Sequence, residues 1–152
     1  MKRLFCLLLL LAGTSACAAA SSSLALESIT FAPSLQVELA AMQRTNTGVY
    51  YRDLVVGQGP QVSRGHRVAV HFAGFLPDGT QFQQVAAPNA PVEFELGTGA
   101  VIRGWESGMI GMRPGGQRQL VVPAAQAYGS RQVGRVPPNA NLVFVIKLVS
   151  AR

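Results

Sequence analysis

The chain has 152 residues, which is enough for one domain of ordinary size or for two very small ones. Hydrophobic residues make up 49% and charged residues 13% of the sequence, and this excludes an intrinsically disordered chain, because disorder requires low hydrophobicity and high charge. Sixteen glycines and nine prolines exclude a simple helical bundle and indicate short elements separated by many turns.

The first 20 residues have the pattern of an export signal. Lys2 and Arg3 precede the apolar run LFCLLLLLA (4–12), and small residues follow it. The run is too short to cross a bilayer, which takes about 20 residues. We therefore expect residues 1–20 to be a signal peptide and the protein to work in the periplasm or cell envelope. Loss of Lys2 and Arg3 would lower the net charge from +6 to +4.

Cys17 leaves two interpretations of the export signal open. The run TSAC (14–17) resembles a bacterial lipobox, in which case the signal ends before Cys17, the cysteine is lipidated and the protein is anchored, for example to an outer membrane. The alternative is ordinary cleavage after Ala18 or Ala20, since small residues occupy the required positions. Cys6 and Cys17 are the two cysteines of the chain, so the rest of the sequence contains no disulfide.

The distribution of charged residues and histidines excludes several classes of function. The arginines after the signal are spread from Arg44 to Arg152 without a cluster, so we expect no nucleic-acid binding. His66 and His71 are five residues apart in one predicted strand region, which places them on opposite faces. Carboxylates are few and no nucleophile motif is present, so we expect no metal site and no cofactor.

Residues 21–46 are predicted to form a tether and a short helix. The helix is predicted over SLQVELAAMQ (34–43), where Leu35, Leu39 and Met42 recur at helical spacing and Ser34 can cap the N-terminus. It could pack as a satellite on the main domain, or it could act as a spacer or dimer contact. It is much shorter than a dimerisation stalk, so we expect a monomer.

The rest of the chain is mostly β-structure. Alternating or continuous apolar residues predict strands over 48–57, 67–76, 80–82, 92–97, 116–123 and 142–150. The run PDGT (77–80) predicts a hairpin turn, residues 83–91 a polar loop, and residues 101–112 one short helix. The last strand is apolar at nearly every position, so it should be central. Residues 124–141 form a loop of a length that is usually functional.

Aromatic side chains come from six different segments of this pattern and could form either a plain core or a binding pocket. They are Phe72, Phe82, Phe94, Trp105, Tyr128 and Phe144. Tyr128 follows a predicted strand in the loop motif AYG (127–129), where a core aromatic is less expected. A concave apolar site with one phenol is typical of a binding pocket.

Three ordered blocks over residues 47–150 resemble the FKBP-type peptidyl-prolyl isomerase domain. The blocks are VAVHFAGFLPDGTQF (68–82), VIRGWESGMIGMRPGGQRQLVVPAAQAYG (101–129) and VPPNANLVFVIKLV (136–149). The resemblance implies an α+β, FKBP-like fold for residues 47–152, with a five- to six-stranded antiparallel sheet wrapped around one short central helix.

The resemblance also implies the positions of the catalytic residues. By position in the motifs, Trp105 is the pocket floor under the proline ring, and Phe82 and Phe144 are walls. The backbone N–H of Ile102 would donate a hydrogen bond to a substrate carbonyl, and the hydroxyl of Tyr128 would donate a second one.

Five further positions are implied to bind substrate. Phe72 stands where the family usually has Tyr, Gln83 where it usually has Asp, and Val92 where an aromatic is common. Val101 lies beside the walls, and Val136 is expected at the rim. The implied partners are proline-containing polypeptides and, less clearly, macrolide inhibitors. Gln83 and Phe72 leave two functions open, a somewhat weakened isomerase or a peptide-binding chaperone with little turnover.

Overall fold

The structure is a computed structural model that describes residues 26–152, so the predicted signal peptide and Cys17 lie outside the described residues. The strands are β1 (Gln43–Arg44), β2 (Tyr50–Val55), β3 (Arg67–Phe75), β4 (Gln81–Val85), β5 (Val92–Glu95), β6 (Gln117–Val122) and β7 (Leu142–Ala151). Within residues 29–152 the α-helix is α1 (Arg103–Gly108), and 3₁₀ turns occur at Pro33–Leu35, Leu39–Ala41 and Ala124–Gln126.

The strands form one antiparallel sheet in the order β1-β2-β6-β7-β3-β4, and β5 also pairs with β3. The sheet has seven strands among the described residues, more than the five to six expected, because the two-residue strand β1 pairs with β2. β7 lies between β6 and β3, as its continuous apolar pattern predicts. The predicted α+β architecture, a sheet with one short helix, is confirmed.

The sheet has an apolar cluster on each face, because successive residues of a strand point to opposite sides. On β7, Phe144 belongs to the cluster that packs around α1, which we call the inner face. Its neighbour Val143 belongs to a second cluster with Leu26, Leu35 and Met42, which we call the outer face. Residues 26–42 therefore cover the outer face of the sheet instead of leaving it exposed to water.

The helix predicted over 34–43 is wrong. The segment forms two separate 3₁₀ turns, with Gln36 between them in the left-handed region at φ 49°. The backbone carbonyls that an α-helix would need are bound by the sheet. Gln119 Nε2 donates to the Leu35 carbonyl at 2.7 Å, and Arg52 Nη2 donates to the carbonyl of Gln36. Leu35 and Met42 are still buried, in the outer-face cluster.

Two other elements differ in length from the prediction. The helix predicted over 101–112 has only six residues, because Ile102 is extended at ψ 148° before its first turn and Gly111 takes a φ of 85° soon after its last. Strand β4 extends to Val85, into the predicted polar loop, because Gln83 and Gln84 pair with Gly74 and Ala73 of β3. The sequence did not predict this part of β4, because its polar side chains show no alternation of apolar residues.

The hairpin turn at 77–80 forms as predicted. Gly79 has a φ of 91°, which glycine adopts without a steric penalty, and the Leu76 N–H donates to the Thr80 carbonyl at 2.8 Å. The Thr80 N–H donates to Asp78 Oδ1 at 2.8 Å, and this hydrogen bond lowers the pKa of Asp78 below its usual value.

Arg118 links the C-terminal end of α1 to the sheet. Its guanidinium donates to the Gly108 and Ile110 carbonyls, both at 2.9 Å, and forms a bidentate pair with Asp53 at 2.7 and 3.0 Å. Arg118 is 4% exposed, and the two carbonyls and the carboxylate satisfy the charge that burial would otherwise penalise.

In the described part of the chain no helix is long and apolar enough to cross a membrane.

Glycine at position 104 lets α1 approach the sheet closely. A Cβ atom there would lie 2.3 Å from Val122 Cγ1, and one at Gly108 would lie 2.9 Å from Leu120 Cδ2. No side chain fits at these distances, so the two glycines set the separation between the helix and β6.

We predict that Gly104→Ala lowers the free energy of unfolding by about 1–3 kcal/mol, the usual cost of overpacking a core. This loss should occur although alanine favours a helix by about 1 kcal/mol. Urea unfolding measures the change. Ser107→Ala, on a less buried part of the same helix, is the control and should change stability by less than about 0.5 kcal/mol. A Gly104→Ala protein as stable as the original would contradict the packing argument.

Candidate functional site

A cavity of about 800 Å³ lies on the inner face, bounded by α1, the strands beneath it and the loop that follows β6. It contains four of the predicted catalytic residues, which are Ile102, Trp105, Tyr128 and Phe144. It also contains four of the predicted substrate-binding residues, which are Phe72, Gln83, Val92 and Val101. The structure thus brings together eight side chains from six segments that are far apart in the sequence.

Trp105 forms the floor of the cavity and is 5% exposed. Its ring meets Phe72 edge-on at 4.8 Å between centroids and Phe144 edge-on at 5.3 Å. Phe94 packs against it at 6.0 Å. These edge-to-face contacts are the preferred geometry of aromatic pairs and hold the indole in one orientation. The indole N–H is buried and has no acceptor within residues 26–152.

Two predicted site residues do not line the cavity. Phe82 is half-buried, and its ring meets that of the wall residue Phe144 edge-on at 5.8 Å. Glycine at position 74 makes room for this pair, since a Cβ there would lie 2.7 Å from Phe82 and 2.9 Å from Phe144. Val136 was expected at the rim. It is instead buried in the core, where it is 2% exposed, and its backbone pairs with Val133.

Val92 lies on the predicted face but remains exposed. It pairs with Val70, whose side chain belongs to the inner-face cluster, so both residues point to the same side of the sheet. Because β5 is at the sheet edge, Val92 is 38% exposed and its side chain borders the cavity mouth. Val92 is therefore exposed because it borders the open side of the cavity.

Besides the buried indole N–H, two neutral hydrogen-bond donors of the cavity are unused. The backbone N–H of Ile102 and the hydroxyl of Tyr128 have no acceptor among the residues that the structure describes. Tyr128 follows the 3₁₀ turn Ala124–Gln126, and the Gly129 N–H binds the Ala124 carbonyl at 2.8 Å. The loop therefore presents the phenol from a fixed backbone. A carbonyl-rich ligand could accept hydrogen bonds from both donors.

Three charged residues of the cavity were not assigned a role from the sequence, namely Arg103, Glu106 and Arg131. Glu106 Oε1 accepts hydrogen bonds from the Gly97 N–H at 3.2 Å and the Gly99 N–H at 2.7 Å. It therefore holds the loop that leads to Val101 and Ile102. In the sequence, the only indication of this role is that Glu106 directly follows Trp105 in the short helix. Spacing alone does not show which backbone groups its carboxylate binds.

Metal chemistry finds no support in the donor set. Among residues 26–152 no group of three His, Cys, Asp or Glu side chains is close enough to hold an ion. His71 Nε2 instead contacts the Asn89 carbonyl at 3.0 Å, on the side of β3 opposite to Phe72.

The geometry agrees with the comparison with known families. A family profile described as FKBP-type peptidyl-prolyl cis-trans isomerase matches residues 59–149. The chain belongs to this family. The FK506-binding protein of Neisseria meningitidis serogroup B is 38% identical over 103 residues, which cover 67% of this chain and 94% of that protein.

Longer relatives share only this domain with the chain. The peptidyl-prolyl cis-trans isomerase of Saccharomyces cerevisiae is 40% identical over 105 residues, which are 69% of this chain but 25% of the yeast protein. The chain thus spans about a quarter of that relative.

Solved structures confirm the FKBP-like fold. The crystal structure of AtFKBP13 superposes with a TM-score of 0.67 at 31% identity and covers 73% of this chain and 98% of that one. FkpA from Escherichia coli gives a TM-score of 0.69 at 28% identity and covers 88% of this chain and 61% of that one. The FkpA match is longer than residues 47–152 and therefore includes part of the segment that covers the outer face.

We predict that Glu106→Ala accelerates amide hydrogen exchange at Gly97 and Gly99 by at least about tenfold, which corresponds to about 1.4 kcal/mol per lost restraint. NMR exchange rates measure the effect. Glu106→Gln retains an oxygen acceptor and should preserve most of the protection. The Gly65 amide, which binds the Leu96 carbonyl at 2.7 Å, is the internal control. Equal acceleration at Gly65 would mean general destabilisation and would contradict a local role.

Proposed function

We propose that the protein is a peptidyl-prolyl cis-trans isomerase that binds a proline-containing segment in the inner-face cavity. The observation that carries this proposal is the combination of an aromatic floor with two unused donors, the Ile102 N–H and the Tyr128 hydroxyl. Membership of the FKBP family supports the same activity.

The chemistry of the reaction fits this site. Isomerisation about an Xaa-Pro bond breaks no covalent bond but must overcome a barrier of about 18–20 kcal/mol, which arises from C–N resonance. Resonance places negative charge on the carbonyl oxygen, where water stabilises the planar amide. A dry aromatic cavity withdraws that water and favours the twisted, less polar amide. Selective binding of the twisted state lowers the barrier without a nucleophile or a metal.

Each residue of the cavity has a different role in this reaction. Trp105 supports the proline ring from below, and Phe72 and Phe144 hold the indole in position and exclude water. The Ile102 N–H and the Tyr128 hydroxyl donate hydrogen bonds to carbonyls of the bound segment, which fix its direction in the cavity. Gln83 lines the same cavity and supplies a neutral hydrogen-bonding group where the family usually has a carboxylate.

The proposed setting is the cell envelope. Lys2, Arg3 and the apolar run 4–12 support export, and newly exported polypeptides would then be the substrates. Lipidation at Cys17 would tether the domain to a membrane, and cleavage after Ala18 or Ala20 would release it as a monomer. The Neisseria relative is named for FK506 binding, and macrolides of that class are proposed ligands of the same cavity.

We predict that Trp105→Leu lowers kcat/KM for a short peptide with Leu or Phe before proline by at least about tenfold, equivalent to about 1.4 kcal/mol of transition-state stabilisation. The full chain is assayed by magnetisation-exchange NMR on the peptide. Phe31→Leu is a matched truncation on the outer face, away from the cavity, and should leave the rate unchanged.

Tyr128→Phe guards against a Trp105 variant that fails to fold, since Tyr128 is only half-buried and loses no hydrogen bond within the described chain. Removal of its hydroxyl should also slow isomerisation. A folded original protein that does not accelerate isomerisation would refute the proposal.

A second function is favoured by one feature of the cavity. With Gln83 and Phe72 in the places of Asp and Tyr, the site carries neither the carboxylate nor the hydroxyl that the family usually has at these positions. Such a cavity could hold prolyl or apolar segments as a chaperone with little turnover. Suppression of aggregation of an unfolded client by a protein without isomerase activity would support this function.

Gln83→Asp distinguishes the two functions. We predict that the variant raises kcat/KM by about threefold or more, because an acidic group would restore the electrostatics of the family site. Gln84→Asp on the neighbouring position of β4 is the control, since Gln84 does not line the cavity. An unchanged rate in Gln83→Asp, together with strong aggregation suppression by the original protein, would favour the chaperone.

A further inference from the structure

Two arginines line the cavity mouth beside the unused donors. Arg103 is the first residue of α1 and directly follows Ile102. Arg131 lies three residues after Tyr128, and its backbone N–H donates to the Tyr128 carbonyl at 3.2 Å. Both side chains are exposed and both border the space in which a peptide would lie. Each arginine therefore lies close along the backbone to one of the two unused donors, Arg103 to the Ile102 N–H and Arg131 to the Tyr128 hydroxyl.

These arginines lack the hydrogen-bonded partners that five of the eight other arginines among residues 26–152 have. Arg67, Arg118 and Arg152 pair with carboxylates, and Arg52 and Arg113 donate to backbone carbonyls. Neither Arg103 nor Arg131 has an ion pair or a hydrogen bond from its guanidinium within residues 26–152. Their donors are available to a ligand.

The negative charge of the cavity does not balance them. Glu106 is its one carboxylate among the described residues, and two backbone N–H groups already bind its Oε1 atom. Gln83, at the position where the family usually has Asp, is neutral. The lining therefore carries two unpaired positive charges against one engaged negative charge.

We propose that this site selects prolyl segments that carry Asp or Glu beside the proline, with Arg103 and Arg131 as the specificity-determining residues. A guanidinium binds a carboxylate through a planar pair of N–H donors, and such charge-assisted hydrogen bonds are stronger than neutral ones. This inference rests on the proposed isomerase function, which it refines by naming the substrate class.

The test compares isomerisation of acetylated, amidated tetrapeptides Ala-Xaa-Pro-Phe, in which Xaa is Glu, Gln, Lys or Leu. Blocked termini leave the Xaa side chain as the single charge, and glutamate is ionised at pH 7. The full chain is used, and the rate is measured by magnetisation-exchange NMR, which needs no coupled protease. The decisive quantity is the ratio of kcat/KM for Glu to that for its isostere Gln.

We expect a Glu to Gln ratio of about three to ten, with Lys below Gln, as exposed charge-assisted contacts allow. The ratio should fall to near one in the double variant Arg103→Gln/Arg131→Gln. It should also fall at 1 M salt, where the screening length shortens to about 3 Å. Arg135→Gln removes an exposed arginine of the same loop outside the cavity lining and should keep the ratio.

The isomerase function and the acidic preference can be refuted separately. If no peptide is isomerised faster, including the Leu peptide, the isomerase function itself is refuted. If the Leu peptide is accelerated but the Glu to Gln ratio is near one, the isomerase function stands and the acidic preference is refuted. A ratio above one that survives the double variant also overturns the assignment to Arg103 and Arg131.

Discussion

The close approach of α1 to strand β6 determines where the floor of the pocket lies. With no side chain at Gly104 and Gly108, the helix rests on Val122 and Leu120 of β6. Trp105, between the two glycines, is thereby carried into edge contacts with Phe72 and Phe144, which come from β3 and β7. A larger helix–sheet separation would leave a gap under the indole, and cores tolerate such gaps poorly. The glycines thus define both the packing and the site.

The proposed chemistry follows from this packing more than from reactive side chains. The aromatic walls exclude water, and Arg118 holds the carbonyls at the end of α1, so those polar groups are satisfied away from the cavity. The polar groups left to a ligand lie around the rim, and they are the neutral donors of Ile102 and Tyr128 and the guanidiniums of Arg103 and Arg131. A twisted amide needs an apolar surface for its ring and donors at fixed positions for its neighbouring carbonyls. The fold supplies the first from the sheet and helix, and the second from the loops.

The sequence predicted most of the strands, and eight of the ten residues that it assigned to the pocket line the cavity, because alternation and short motifs report local geometry. It failed where tertiary contacts override local pattern. Leu35 and Met42 recur at helical spacing, yet Gln119 and Arg52 bind the carbonyls of residues 35 and 36 and prevent an α-helix. Val136 and Phe82 occupy motif positions, but Val136 is buried in the core and Phe82 is half-buried against the wall residue Phe144. The roles of Glu106, Arg103 and Arg131 depend on which backbone and charge partners lie nearby, and no spacing rule states this.

Strand β7 joins the pocket to the outer face of the sheet. Phe144 forms the pocket wall, and the adjacent Val143 packs against the N-terminal segment, in the cluster that contains Leu26 and Leu35. Tyr50 belongs to the same cluster, and burial raises the pKa of its phenol above the usual value. Because Val143 and Phe144 are neighbours on β7, their side chains point to opposite faces, and residues 26–42 bury the face that lies away from the cavity. The cavity wall itself is built from the inner-face cluster, so each face of the sheet is buried by a different part of the chain.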